Sequence, residues 1–354
     1  MFVVARSIIM SSTIHMLLCG NSKEKLKCVE SNSVQLIVTS PPYPMIQMWD
    51  SMFIEQNPEI SSFLQDNPRM AFGAMHALLD EVWKECDRVL MDGGFVCINV
   101  GDAVRTFHEK FEMFPNHLRI LEFFYKKGYS VLPDIHWRKP TNAPNKFMGS
   151  GMYPAGAYVT YEHEYILIFR KGTNRKFSDT EKKTRRESCY FWEERNIWFS
   201  DLWEIKGTSQ HILNIEGREK SASFPFEIPY RLVNMYSIKG DTVVDPFCGF
   251  GTTMLACMAS NRNSISLDIC QDIIDSTLKK IGYAQKSLNK YIDNRLKNHV
   301  KFIDSLDDES KEKCYHNKFH DFLVKTQQET DIKVEKISEF YRSGNTVACM
   351  YGNS

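Results

Sequence analysis

The sequence predicts an α/β protein built on a doubly wound, mostly parallel sheet with an inserted segment. Three observations carry this. Apolar or β-branched runs alternate with helical-period segments along most of the chain. Two of those runs hand over to loops rich in Pro or Gly, as parallel strands do where a sheet opens a ligand crevice. At 354 residues the chain is long for one compact domain and short for three, so one large domain with an insertion, or two domains, fits best.

The elements follow in order. Ile14 to Cys19 reads as a buried strand ending at Gly20, and Val34–Val38 as a second one breaking at Thr39-Ser40-Pro41-Pro42. From Met75 to Leu90 the apolar residues fall at helical spacing: Leu78, Leu79, Val82, Trp83, Cys86, Val89 and Leu90. Asp92-Gly93-Gly94 closes that helix, and Phe95–Val100 runs as a strand into Gly101-Asp102, a βαβ-like fragment. Tyr165–Phe169 is a strand stopped by Lys171-Gly172. From Thr173 to about Ser221 the periodicity weakens and charge rises, which marks the insertion. Pro225 to Tyr236 then reads as helix, Thr242–Val244 as strand, Met254–Ser260 as helix and Ile265–Leu267 as a strand ending in Asp268. The last seventy or so residues read as charged and irregular, and no repeat is present.

Composition narrows the class. With 43% hydrophobic and 25% charged residues the chain is an ordinary folded protein, not a disordered or collagen-like one. No apolar run approaches a membrane span. The opening MFVVARSIIM lacks the basic region and the small-residue cleavage site of a secretory signal. Ten cysteines form no CxxC pair and no zinc-spaced cluster, and Cys97, Cys257 and Cys270 sit singly in apolar runs. A cytoplasmic, metal-free protein is expected. Lys and Arg match Asp and Glu at 44 each, which taken alone argues against a nucleic-acid binder.

Two motifs carry chemistry. In Asp245-Pro246-Phe247-Cys248-Gly249-Phe250-Gly251-Thr252-Thr253 a strand delivers an acid, and two glycines then let the backbone turn closely around a ligand before a helix begins. No lysine follows the second glycine and the GxGxxG spacing is missing, which excludes a P-loop and disfavours a nicotinamide dehydrogenase. Asp268, ending the next strand, is placed to accept from ribose hydroxyls. A strand–turn–helix whose glycines only fit the turn reads the same. In Thr39-Ser40-Pro41-Pro42-Tyr43-Pro44 two prolines hold the chain extended and donate no backbone hydrogen bond. The Ser40 hydroxyl and the proline carbonyls are left as acceptors beside an aromatic ring, a fit for a planar base with an exocyclic amine. A rigid proline turn with a packed tyrosine gives the same string.

Taken together, the motifs resemble the amino-group DNA methyltransferases dependent on S-adenosylmethionine, with their (Ser/Asp/Asn)-Pro-Pro-Tyr motif and Asp-Pro-Phe-x-Gly-x-Gly-Thr-Thr loop. Asn99-Val100-Gly101-Asp102, His136-Trp137-Arg138-Lys139-Pro140, Glu162-His163-Glu164 and Ser223-Phe224-Pro225-Phe226 extend the resemblance over roughly residues 14 to 275. The order, catalytic motif first and cofactor loop late, is the family's permuted beta arrangement. It implies a Rossmann-like, circularly permuted fold divided as 1–13 (extension), 14–172 (catalytic half), 173–221 (target recognition), 222–280 (cofactor half) and 281–354 (charged extension).

The resemblance implies direct methyl transfer from a sulfonium to the amine of a base flipped out of double-stranded DNA. Ser40 and the carbonyl of Pro41, with Pro42 beside them, would hold the amine, and Tyr43 would stack on the base. Asp245, Phe247, Gly249, Gly251, Thr252 and Asp268, with Phe224 and Pro225, would hold S-adenosyl-L-methionine. Asp102 is a weaker candidate for the site, against a surface acid ending a strand. Ser-Pro-Pro-Tyr points to N4 of cytosine, and adenine N6 is the alternative. A C5 mechanism would need a Pro-Cys dipeptide, and no proline here precedes a cysteine. RNA or protein amides, and a binding protein that kept the fold without activity, are the more distant readings. The implied partner is a restriction endonuclease acting on the same site; oligomeric state is not legible. His76, His136 and His163 are expected to be structural or DNA-facing, and Trp192, Trp198 and Trp203 to pack a small core.

The zero net charge is segregated. From Asp50 to Tyr125 six bases stand against thirteen acids, 6 − 13 = −7; from Lys126 to Ser188 thirteen bases stand against six acids, 13 − 6 = +7. Lys182, Lys183, Arg185 and Arg186 in the predicted recognition region, with Lys139, are therefore the expected DNA-backbone contacts, a solvated face being the alternative for the 182–186 cluster.

Overall fold

The computed structural model describes residues 11–139, 148–206 and 224–353. Their centre is a ten-stranded sheet. In chain order its strands are β1 (Ser11–Cys19), β2 (Val34–Thr39), β3 (Leu90–Val100), β4 (Ser130–Arg138), β5 (His163–Arg170), β6 (Leu202–Glu204), β7 (Thr242–Asp245), β8 (Asn263–Asp268), β9 (Glu335–Ser343) and β10 (Thr346–Asn353). They lie side by side as β6-β4-β5-β3-β2-β7-β8-β1-β10-β9. The middle five, β3-β2-β7-β8-β1, are all parallel. Parallel central strands are buried on both faces, which is why Val34–Val38 and Thr242–Val244 read as near-continuous apolar runs instead of alternating ones.

Helices cover both faces. On one lie α1 (Asp50–Gln56), α2 (Pro68–Val89) and α3 (Asn116–Lys126), whose Phe53, Trp83, Ile120 and Phe124 pack with Ile37, Ile98 and Phe169. On the other lie α5 (Trp192–Trp198), α6 (Glu227–Tyr236), α7 (Thr252–Ala259), α8 (Gln271–Lys280) and α9 (Ala284–Asp304), with a core running from Leu36 and Val243 to Tyr230, Leu255 and Leu288; α4 (Asp179–Glu187), which precedes α5, buries none of its side chains. Helix α2 begins at Pro68 because Asn67 accepts a hydrogen bond from the backbone N–H of Met70 and Pro occupies the first turn.

Three expectations change. First, Tyr165–Phe169 belongs to an antiparallel strand, wedged between β3 and β4. Second, Asp92-Gly93-Gly94 lies inside β3, which begins at Leu90 immediately after α2; a register irregularity between Val34 and Leu36 absorbs the extra residues. Third, the end of the chain is ordered structure. Strand β10 pairs with β1 and β9 with β10, so residues 335–353 finish one edge of the main sheet. The apolar members of that hairpin (Ile337, Val347, Cys349, Tyr351) are too widely spaced among polar neighbours to stand out in the sequence.

The described part of the predicted recognition region does not stand apart either. Strand β6 joins the main sheet beside β4, and Trp198 and Trp203 are buried. Trp192 stacks on Phe302, and Arg295 of α9 clasps Glu194 with both ends of its guanidinium at 2.6 and 2.8 Å. Residues 174–206 and the C-terminal extension thus share one core. The rest of that region, residues 207–221, lies outside the described residues.

Candidate active site

The two sequence motifs, about two hundred residues apart in the chain, meet because β2 and β7 are neighbours with Leu36 opposite Val243 and Ile37 opposite Val244. Both strands end at the same edge, and there the Thr39 hydroxyl donates to Asp245 Oδ1 at 2.6 Å. Strand β8 ends alongside in Asp268. The crevice over these strand ends is a cavity of about 350 Å³. It is lined by Ser40, Pro41 and Pro42 from the first motif, and by Asp245, Phe247, Gly249 and Thr252 from the second. Phe224, Asp268, and Trp49, Met52 and Phe53 at the start of α1 complete the wall.

The glycine loop is shaped by backbone. Gly249 has φ +50° and Gly251 φ +72°, the left-handed region where a Cβ is costly. Gly251 does not line the cavity; it turns the chain into α7, and a Cβ there would meet the Met254 methyl at 3.0 Å. Each Asp268 oxygen accepts one loop N–H, Oδ2 from Gly249 at 3.0 Å and Oδ1 from Cys270 at 2.9 Å. Asp245 also accepts from the N–H of Phe247 at 3.1 Å. Burial nevertheless pushes its carboxyl up to about 6, against the hydrogen bonds that favour the charged form. Burial raises Asp268 as well. Phe247 meets Trp83 edge-on, Pro225 lies buried at the entry to α6, and Thr252 opens α7.

The catalytic motif differs from expectation at its aromatic residue. Tyr43 is 6% exposed and does not line the cavity. Its hydroxyl lies 2.9 Å from Ser40 Oγ, donates to Glu164 Oε2 at 3.0 Å and accepts from Asn99 Nδ2 at 2.9 Å. Burial, then the Glu164 carboxylate, holds its phenol well above the usual tyrosine range. The arrangement found is a packed tyrosine whose hydroxyl joins Ser40 to Glu164 and Asn99. Asn99 ends β3 and also donates to Glu164 Oε2 at 2.6 Å; Lys139 pairs with the other Glu164 oxygen. Glu164 and Asn99 enter the sequence reading only within segments that extend the resemblance, with no site role. The available signal is a glutamate and an asparagine inside apolar strand runs, buried polar residues that must be answered.

Other candidates fall elsewhere. Lys139 is at the site but committed to Glu164, with its ammonium 4.7 Å over the Trp137 ring. Asp102 is buried and not a surface acid: it accepts from the N–H and ring of His117. His76 is fully buried against Asn116, and His136 and His163 stack on one another beside Tyr165.

Lys182, Lys183, Arg185 and Arg186 are not brought to this site. Arg175, just before α4, binds Asp241 at 2.7 and 3.0 Å, and Ser188, just after it, accepts from the N–H of Lys239. Both partners precede β7, so α4 lies at the opposite edge of the sheet from the cavity. Its charges are answered locally, Lys182 by Asp179, Lys183 by Glu187 and Arg186 by Asp331, while Arg185 stacks on Phe177.

A doubly wound sheet with a glycine turn, two acids and a nucleoside-sized crevice at its switch point defines a class, the α/β enzymes that bind a nucleotide-like cofactor. Residues 34–280 match the family model described as DNA methylase, of the N6/N4 methyltransferase kind. The chain is 46% identical over 326 residues to the type II methyltransferase M.MthZI of Methanothermobacter thermautotrophicus, covering 91% of this chain and 90% of that one. It is 46% identical to M.MjaI of Methanocaldococcus jannaschii, with 78% and 94% covered. Among solved structures it resembles TTHA0409 of Thermus thermophilus in complex with S-adenosyl-L-methionine, at TM-score 0.60 and 29% identity over 77% of this chain and 96% of that one. The PvuII cytosine-N4 DNA methyltransferase shares the fold at TM-score 0.50 and 18% identity, over 79% and 94%. This chain belongs to the amino-group DNA methyltransferase family.

Proposed function

We propose that the chain methylates N4 of a cytosine flipped out of double-stranded DNA, using S-adenosyl-L-methionine, as the modification partner of a restriction endonuclease in the cytoplasm. The observation that carries it is the Thr39–Asp245 contact, which sets the Ser40 hydroxyl at the mouth of the cavity that the glycine loop encloses.

The cavity fits the cofactor by its donor set. It joins two carboxylates, able to take a cationic sulfonium and ribose hydroxyls, to apolar walls at Phe247 and Phe224 suited to an adenine ring. Asp268, Asp245, Gly249, Thr252, Phe247 and Phe224 would hold it, with Gly251 and Pro225 shaping the loop and helix around them. When bound, the cofactor supplies a methyl group already activated on a sulfonium. The protein's own work is alignment. Ser40 Oγ and the Pro41 carbonyl accept from the amine hydrogens, so the nitrogen lone pair turns from the ring towards the methyl group, and Pro42 keeps the acceptor pair rigid.

Serine in the first position of the motif favours cytosine, and adenine N6 is the second reading because serine and aspartate are both small acceptors. DNA would approach the cavity edge of the sheet, where His136 and His163 stand near the ends of β4 and β5. Incubation with labelled cofactor and mixed-sequence duplexes, followed by nucleoside analysis, is expected to yield N4-methylcytosine. N6-methyladenine would overturn the base assignment, and absence of label on any DNA the whole reading.

A further inference from the structure

We infer that Glu164 and Asn99 are positioning residues that turn the Ser40 hydroxyl into an obligate acceptor towards the substrate amine. The inference rests on the proposed reaction and deepens it. It follows from counting donors and acceptors around one buried phenol.

A serine hydroxyl at a reaction centre is ambiguous, because it donates one hydrogen and accepts through two lone pairs. An amine presenting its hydrogens needs an acceptor. Whether Ser40 offers lone pairs or its proton depends on what its own hydrogen is doing, and the surroundings of Tyr43 decide that.

The Glu164 carboxylate is surrounded by donors: Tyr43 through its hydroxyl, Asn99 through its amide nitrogen, and Lys139 through its ammonium. The carboxylate can only accept, so it takes the single proton of the Tyr43 hydroxyl. That leaves the Tyr43 oxygen with lone pairs alone. One receives Asn99 Nδ2 at 2.9 Å; the other faces Ser40 Oγ at 2.9 Å. Asn99 Nδ2 also lies 3.5 Å from Ser40 Oγ, but its two hydrogens go to the nearer Glu164 and Tyr43 oxygens. Two oxygens at that separation need one proton between them, and Tyr43 has none left. Ser40 must therefore donate to Tyr43, and its lone pairs turn to the cavity. The amide orientation of Asn99 is set by the same logic, since its nitrogen must face the carboxylate. Buried Tyr43 holds the chain in one register, and burial excludes water as an alternative partner for its hydroxyl.

The carboxylate thus reaches Ser40 through one phenol, without touching the substrate. Nothing is transferred along the chain: every proton stays on its own oxygen, and only the hydrogen-bond directions are set.

Replacing Glu164 by Gln keeps the shape, but the Lys139 ammonium, which can only donate, holds the amide oxygen on the Oε1 side, so the NH2 falls where Oε2 accepted from Tyr43 and Asn99; Tyr43 then accepts from it, its own proton is free for Ser40, and the Ser40 hydroxyl loses its orientation. In single-turnover assays on duplex DNA, E164Q is expected to lower kcat about 100-fold, with KM for DNA and cofactor affinity by calorimetry changed less than about threefold. The direction argument is tested by two cycles. In a Ser40→Asp background the acceptor needs no orienting, so E164Q should cost under about fivefold. In a Tyr43→Phe background the connection is already cut, and E164Q should again add little. Equal multiplicative losses in these backgrounds and in the unaltered chain would overturn the inference, as would an unchanged kcat in E164Q. If S40D is itself inactive, the Tyr43→Phe cycle decides. Methylation by the unaltered chain with no effect of E164Q sinks only this inference; no methylation by the unaltered chain sinks the reaction as well.

Discussion

At the scale of single residues, Asp245 carries the most consequence. Its carboxyl is buried at the joint between the two motifs and pushed up to about 6 from an ordinary 3.8. A carboxyl whose folded value is raised lends stability below its unfolded value and loses it as pH climbs through the folded one. The cofactor-free protein should therefore lose about 3 kcal/mol between roughly pH 4 and pH 6 from this group. Asp245→Asn keeps an acceptor for Thr39 and Phe247 without the charge. We expect urea denaturation to find the variant more stable than the parent at pH 8 and no better at pH 4, while its cofactor affinity falls; a constant difference across pH would refute this. Asp245, Ser40, Gly249 and Asp268 are all legible in the sequence as site residues, because motifs of this kind need particular side chains at particular spacings. Glu164 and Asn99 stand in family-like segments of the sequence, but their role does not, because it arises only where β3 and β5 lie side by side.

At the scale of elements, α4 lies apart from the cavity. Its basic cluster reads as a DNA contact from its position in the chain, between the two motifs. Chain position does not say which edge of a sheet a loop returns to, and β5, being antiparallel, delivers the chain to the edge away from the cavity. Neutralising Lys182, Lys183, Arg185 and Arg186 together should leave DNA affinity and its salt slope unchanged within about twofold, as judged by binding at several salt concentrations. A clear drop in the slope would restore the cluster to the DNA interface. Helix α4 is held in place by Ser178, which caps it reciprocally with Glu181, and by Arg175, which ties it to the entry of β7.

At the scale of the whole molecule, the C-terminal hairpin closes the sheet. Without β9 and β10, strand β1 would present a bare edge next to β8, open to pairing with another chain. Truncation after Thr330 should therefore abolish cooperative unfolding and promote aggregation, visible by calorimetry and light scattering; a soluble, cooperatively folded product would contradict this. A milder probe is Tyr351→Phe. The hydroxyl is buried between Thr13 Oγ1 and the carbonyl of Met258, each at 2.8 Å. Its loss should cost about 1–2 kcal/mol in chemical denaturation.

What the chain determined by itself was local. The buried strands, helix α2, the proline motif and the glycine loop are written in contiguous residues, because each is a short-range consequence of periodicity, capping or special backbone geometry. The α/β class and the family followed from them. Tertiary structure decided what needs two distant segments at once: the antiparallel β5, the joining of β9 and β10 to β1, the far edge on which α4 sits, and the burial of Tyr43. Each depends on which surfaces pack together, and burial and hydrogen-bond pairing settle that only when the whole sheet is assembled. The zero net charge belongs to this second group, since a segment's sign becomes a binding surface only after folding places it on one edge or the other.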